Sequence, residues 1–155
     1  MRIGYGFDVH AFSQERRLVM GGVEIPDHAG LSGHSDADVL CHAIGDALLG
    51  AAALGDLGTH FPGDARWRES SSLEILGEVA GLLSEAGARI ENVDATVVCE
   101  SPRLDPYRDR MIATVAGALG IEPEKVSIKA TSTDRLGFTG RAEGIAAHAV
   151  ALITS

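Results

Sequence analysis

The chain is poor in the groups that several function classes require. It has two cysteines, Cys41 and Cys99, in 155 residues, and no CxxC spacing. A disulfide framework is not expected, and both thiols, set in apolar runs, read as buried and free. Aromatic residues make up only 5% of the chain, so stacking platforms for single-stranded nucleic acid are largely missing. Basic residues are outnumbered, with 13 Lys and Arg against 22 Asp and Glu and a formal net charge of -9. A surface with that balance repels phosphate backbones and anionic bilayers, which excludes nucleic acid and membrane as general partners. An anionic small substrate would need local help from metal ions, backbone N–H groups or a few Arg. No apolar run approaches the ~20 residues of a membrane span. The opening MRIGYGFDVHAF lacks the apolar segment of a signal peptide, so a cytoplasmic location is expected. Neither GxGxxG nor GxxxxGK[ST] occurs, which removes the dinucleotide and P-loop readings.

What is present is an ordinary globular balance, 45% apolar and 23% charged, with 19 glycines. Length and balance predict a single domain over residues 1–155. Ile3, Tyr5, Phe7 and Val9 alternate with small or polar residues, which predicts a strand over 2–10. Arg16 to Ile25 reads as a hairpin turning at Gly21-Gly22. A helix is expected from Ser35, with Ser35 and Asp38 in the form of a capping box, to a stop near Gly55. Residues 55–68 read as a long irregular loop, a length usually kept for function. A helix over 70–86 stopped by Gly87, a strand over 90–98, a helix over 106–118, and strands over 125–130 and 144–153 complete the order. The expected class is α+β, with helices on one face of a mainly β sheet.

Five constellations bear chemistry. Asp8 and His10 are two apart on a strand and point the same way. Asp38, His42 and Asp46 follow one helix face, and His42 in an otherwise apolar helix needs a partner. Asp8, His10 and His42 together offer one oxygen and two nitrogens. That set suits Zn²⁺ and leaves a fourth position open, with Asp46 the expected partner of the second His42 nitrogen. His28, His60 and His148 lack such company and read as surface, loop and strand residues. Asp56-Leu57-Gly58 and Phe61-Pro62-Gly63-Asp64 put carboxylates on a Gly/Pro loop, as ordinary turns also do. Thr131, Ser132 and Thr133 offer three successive hydroxyls to phosphate, and Asp134 an oxygen to Mg²⁺, although hydroxyls also begin plain turns. Phe138 lies between Gly137 and Gly140, and Arg141 is either an anion binder or the partner of Glu143.

The stretches GFDVHAF at 6–12, HSDADV at 34–39, DALLGAAALGDLG at 46–58 and FTGRAEG at 138–144 resemble, in order and spacing, the 2-C-methyl-D-erythritol 2,4-cyclodiphosphate synthases of non-mevalonate isoprenoid synthesis. The resemblance covers nearly the whole chain. It implies a ferredoxin-like subunit in a homotrimer, with active sites at subunit interfaces and sheets around the interior. It implies zinc on Asp8, His10 and His42, and a second ion, Mg²⁺ or Mn²⁺, on Asp134. His34 and Ser132 become the catalytic positions. Substrate binding falls on Asp8, His10, His34, Ser35, Asp56, Gly58, Phe61, Asp64, Pro102, Leu104, Thr131, Ser132, Thr133, Asp134, Phe138 and Arg141. The cytidine pocket is the turn from Cys99 to Asp105 together with Thr131 to Asp134. Phe138 and Arg141 are expected at an axial cavity where isoprenoid diphosphates sit. The implied reaction is attack of a substrate's 2-phosphate on its own cytidyl diphosphate, with release of CMP.

The chain departs from that pattern in places. Asp134 stands for a common Glu, Ser132 for Thr, Ala37 for Gly and Tyr5 for His. The loop FPGDARW is one residue shorter than usual, with Asp64 at the second acidic position. A zinc phosphohydrolase and a non-catalytic trimeric metal- or isoprenoid-binding protein are the alternatives that the same residues allow.

Overall fold

The computed structural model describes residues 1–64, 66–68 and 70–155. Five strands form the main sheet: β1 (Arg2–Ser13), β4 (Gly30–Leu31), β5 (Arg89–Val98), β6 (Val126–Thr131) and β7 (Gly144–Thr154), in the order β4-β1-β7-β5-β6. β5 and β6 run parallel, and the other pairs are antiparallel. β2 (Leu18–Met20) and β3 (Val23–Ile25) make the expected hairpin. Gly21 and Gly22 carry φ of 56° and 74°, the pair of positive angles that a two-residue type I′ turn demands and glycine supplies. The helices are α1 (Val39–Ala52), α2 (Leu57–His60), α3 (Ser72–Glu85), α4 (Arg108–Leu119) and α5 (Gly137–Gly140). The α+β architecture is therefore as expected. No helix among the described residues is long and apolar enough to cross a membrane.

The alternation in β1 is real, but its large apolar side chains face outward. Ile3, Tyr5, Phe7 and Val9 are exposed, and Val150 of β7 joins them on the same open face. Gly4 and Gly6 face α1. A Cβ on Gly4 would stand 1.8 Å from the carbonyl oxygen of Ala47, and one on Gly6 1.9 Å from that of Ala43. Helix and strand thus meet backbone to backbone. Ala43, Ala47 and Ala51 of α1 and Ala147, Ala149 and Ala151 of β7 keep the rest of the seam thin, and all are buried. Larger side chains fill the space farther out, where Leu40, Ile44, Leu48, Leu76 and Leu83 are fully buried.

Two local expectations are corrected. Ser35 does not cap α1; it sits in the left-handed region at φ 56°, and the helix begins at Val39 with Asp38 as its cap. Asp38 accepts from Cys41 N–H at 3.1 Å, and from Gly21 and Gly22 N–H at 3.0 and 2.7 Å. One buried carboxylate therefore ties the hairpin turn to the helix start. Burial nonetheless pushes its pKa up, aided by the charge of Asp36, against those N–H bonds. A true capping box forms at Ser71 and Glu74, at the start of α3. The expected loop over 55–68 contains α2, whose cap is Asp56.

Candidate metal centre

The strand face that carries Gly4 and Gly6 continues to Asp8 and His10. Two strand residues advance about 6.8 Å and the four helix residues from Ala47 to Ala43 about 6 Å, so strand and helix nearly keep step. Asp8 therefore arrives beside the first turn of α1, where His42 stands. Asp8 Oδ2 lies 2.8 Å from His10 Nε2 and 3.0 Å from His42 Nδ1, with side-chain exposures of 26%, 16% and 16%. The two nitrogens are 3.2 Å apart. Ligand atoms around a tetrahedral zinc are roughly 3.3 Å from one another when metal bonds are ~2.0–2.1 Å. The three donors stand close to that spacing and form a candidate metal site. One carboxylate and two imidazoles suit a divalent transition metal, and the trio opens on a cleft of about 220 Å³.

The electrostatics follow from this crowding. Burial pushes the Asp8 carboxyl up, but hydrogen bonds and charge from His10 and His42 outweigh it and hold the group well below the carboxylate range. Burial pushes His10 down, and the bond to Asp8 more than reverses this, so its pKa is raised. His10 Nδ1–H donates to the Ser32 carbonyl at 2.6 Å, which leaves Nε2 for the trio.

The expected role of Asp46 is not found. Its carboxylate accepts Leu57 N–H at 2.9 Å and so pins the start of α2. His42 Nε2 instead meets Ser72 Oγ at 3.1 Å and Ser35 Oγ at 3.3 Å. Ser72 escaped the sequence reading because it lies 30 residues from His42 and belongs to no motif. Arg16 also went unread. Its guanidinium donates to the carbonyls of Gly33 and Ser35 and clamps the loop that carries His34.

The same cleft gathers His34, Ser35, Gly58 and Phe61, all foreseen, and Trp67, which was not. Phe61 and Trp67 meet edge to face, with centroids 4.9 Å apart, and the Arg66 guanidinium stacks on Trp67. Asp56 stays local and accepts from Thr59 N–H and Oγ1 at 2.8 Å. Asp64 caps its own turn through Arg66 N–H.

The remaining expected residues lie elsewhere. A second cleft of about 380 Å³ is lined by Pro102, Leu104, Thr131 and Ser132, among others. Among the described residues the two clefts share no wall. Across the sheet Val9 pairs with Ala146, Ala146 with Val98 and Val98 with Thr131. Thr131 therefore stands three strands, about 14 Å, from the backbone next to Asp8. Glu100 joins the two turns of this cleft by accepting Thr133 N–H at 3.2 Å and Arg135 N–H at 3.0 Å. Asp134 is exposed at φ 51° and is not part of the Asp8 cluster. Arg141 pairs with Glu143 at 3.0 Å, and Phe138 lies in the adjoining α5, partly exposed.

A family model described as the YgbB family matches residues 1–154. The 2-C-methyl-D-erythritol 2,4-cyclodiphosphate synthase of Syntrophomonas wolfei is 60% identical over 154 residues, 99% of this chain and 98% of the relative. The bifunctional IspDF from Campylobacter jejuni has a similar fold, at TM-score 0.95 and 38% identity over 98% of this chain; the match spans 42% of that longer chain. The Plasmodium falciparum IspF, in complex with CDP, matches at TM-score 0.85 and 31% identity over 98% of this chain and 94% of its own.

Proposed function

The chain belongs to the YgbB family, and from that premise we propose its reaction and the parts its residues play. It cyclises 4-diphosphocytidyl-2-C-methyl-D-erythritol 2-phosphate to 2-C-methyl-D-erythritol 2,4-cyclodiphosphate and releases CMP. An oxygen of the 2-phosphate attacks the β-phosphorus, and the bond from that phosphorus to the oxygen bridging the α-phosphate breaks. No protein nucleophile is required, because the substrate contains its own. The observation that carries the metal dependence is the Asp8, His10 and His42 triangle opening on a cleft.

Asp8, His10 and His42 fit a divalent ion, read here as zinc, and Asp134 would offer one oxygen to a Mg²⁺ or Mn²⁺ ion; when bound, the two would polarise the β-phosphate and offset the charge of the diphosphate. His34 and Ser132 are the catalytic positions that flank the reacting phosphates. Hydroxyls of Thr131 and Thr133 position phosphate oxygens, and Pro102 and Leu104 shape the cytidine pocket. Phe61, Ser35, Asp56, Gly58 and Asp64 close around the sugar. Folding the substrate so that its ends meet supplies a proximity effect that reaches ~7–11 kcal/mol in well-oriented cases.

The working form is a cytoplasmic homotrimer of ferredoxin-like subunits. Two observations support the assembly. The metal cleft, at about 220 Å³, is below the ~300–1,000 Å³ usual for small-molecule sites. The outward face with Ile3, Tyr5, Phe7, Val9 and Val150 is apolar and suited to cover by another copy. In the trimer the Thr131–Asp134 turn of one copy completes the metal cleft of its neighbour. Phe138 and Arg141 line an axial cavity for isoprenoid diphosphates, where an anion must compete with Glu143.

The test is product analysis. Phosphorus NMR of the protein with the cytidyl substrate, Zn²⁺ and Mg²⁺ is expected to show CMP and a cyclic diphosphate in equal amounts, both lost on chelation. Release of inorganic phosphate would instead identify a hydrolase.

A further inference from the structure

His42 needs more than proximity to serve as a ligand: its Nδ1 must carry a lone pair, so the ring proton must sit on Nε2. The structure contains a device for this. Ser72 is fully buried, and its hydroxyl donates to Asp36 Oδ1. Its backbone N–H donates to Asp36 Oδ2 at 3.0 Å. Asp36 Oδ1 also accepts Asp38 N–H at 3.2 Å. An ionised carboxylate only accepts, so it commits the Ser72 proton to itself and leaves the Ser72 oxygen as an acceptor. That oxygen stands 3.1 Å from His42 Nε2. Among the described residues, Ser35 Oγ, at 3.3 Å, has no such carboxylate among its bonds.

We propose that Ser72, held by Asp36, is the positioning residue that fixes the tautomer and ring orientation of His42, so that Nδ1 faces Asp8 and His10. The inference deepens the metal site proposed above and rests on it. Two histidines of one site are thereby set in opposite senses by unlike partners. A backbone carbonyl takes the Nδ1 proton of His10, and a carboxylate-anchored hydroxyl takes the Nε2 proton of His42. Ser72 is also the first residue of α3, so the fold of that helix start and the orientation of the ligand depend on the same two bonds to Asp36.

Zinc affinity is measured by competition with a chelating dye on the unmodified chain and on Ser72→Ala, Asp36→Asn and His42→Ala. Ser72→Ala is expected to bind zinc about ten- to hundredfold more weakly, the usual effect of removing a group that orients a ligand. Asp36→Asn should move the same way, because its amide NH₂ must oppose one of the donors that the carboxylate accepts. Imidazole nitrogen NMR of the zinc-loaded, unmodified chain is expected to show His42 protonated at Nε2 and coordinating through Nδ1, which tests the proposal even if a variant does not fold. Undiminished zinc affinity in Ser72→Ala, with His42→Ala impaired, would overturn the role of Ser72 alone. Proton occupancy at Nδ1, or coordination through Nε2, in the zinc-loaded chain would overturn it as well. Undiminished affinity in His42→Ala would refute the metal site itself and the inference with it.

Discussion

Asp8 and His10 hold each other in opposite charge states, and the metal-free chain carries the consequence. The raised His10 contributes stability that is complete below its ordinary value of 6.5 and is lost as the pH climbs through its raised value. The lowered Asp8 contributes stability that is complete above 3.8 and is lost as the pH falls through its lowered value. The metal-free fold should therefore be most stable between those two reference values. Denaturant unfolding of chelator-treated protein across pH is expected to show that plateau, and Asp8→Asn should flatten both flanks. At this scale the candidate metal-binding trio was legible in the sequence. An Asp and a His two apart on a strand, and a His in an apolar helix, are local patterns with local causes. Ser72 and Asp36 were not legible, because their meaning depends on the start of α3 packing beside α1, which no spacing records. Asp46 shows the converse: its i+4 spacing from His42 is real, yet its carboxylate is taken by Leu57 N–H.

Among the elements, the decisive contact is between β1 and α1. Gly6 is needed for lack of bulk and not for its torsion angles, since a Cβ there would stand 1.9 Å from a helix carbonyl oxygen. Gly6→Ala is expected to cost at least as much as ordinary overpacking, about 1–3 kcal/mol, because the obstacle is backbone and cannot rotate away. Equilibrium unfolding measures this, and the shift in helix position should weaken metal binding in the same variant. The long strands and the long helices were readable from periodicity, whereas Gly30 to Gly33 reads as a loop and its first two residues form β4 against β1. The hairpin was readable from its glycine pair. The helix start at Ser35 was misread because a serine followed three residues later by an acid resembles a cap in sequence. The chain instead turns left-handed at Ser35 and again at Ala37, φ 55°, and passes the capping role to Asp38. Which face of β1 turns inward was likewise hidden. Alternation gives two faces, and only the close approach allowed by Gly4 and Gly6 selects the one with the smaller side chains.

For the whole molecule, the two clefts of one chain make a distinctive expectation in the proposed trimer. A His42→Ala chain lacks a metal ligand, and a chain with both Ser132→Ala and Asp134→Ala lacks the turn. Each is expected to be inactive alone. Unfolded together and reassembled at random, they should regain roughly a quarter of the unmodified activity, because one interface in four then joins two intact halves. A mixture no more active than its parts would place the whole site within one chain.

The outward apolar face of β1 and β7 bears on more than assembly. If the proposed trimer forms, then with Ile3 at 72% and Tyr5 at 60% exposure in the lone chain, part of the hydrophobic driving force that a monomer would use internally is withheld until copies meet. Folding and association then share one equilibrium, and protein concentration becomes a thermodynamic variable of the fold. Dilution acts on such a protein as a mild denaturant does, and its midpoint of thermal unfolding has no single value apart from the amount of chain in solution.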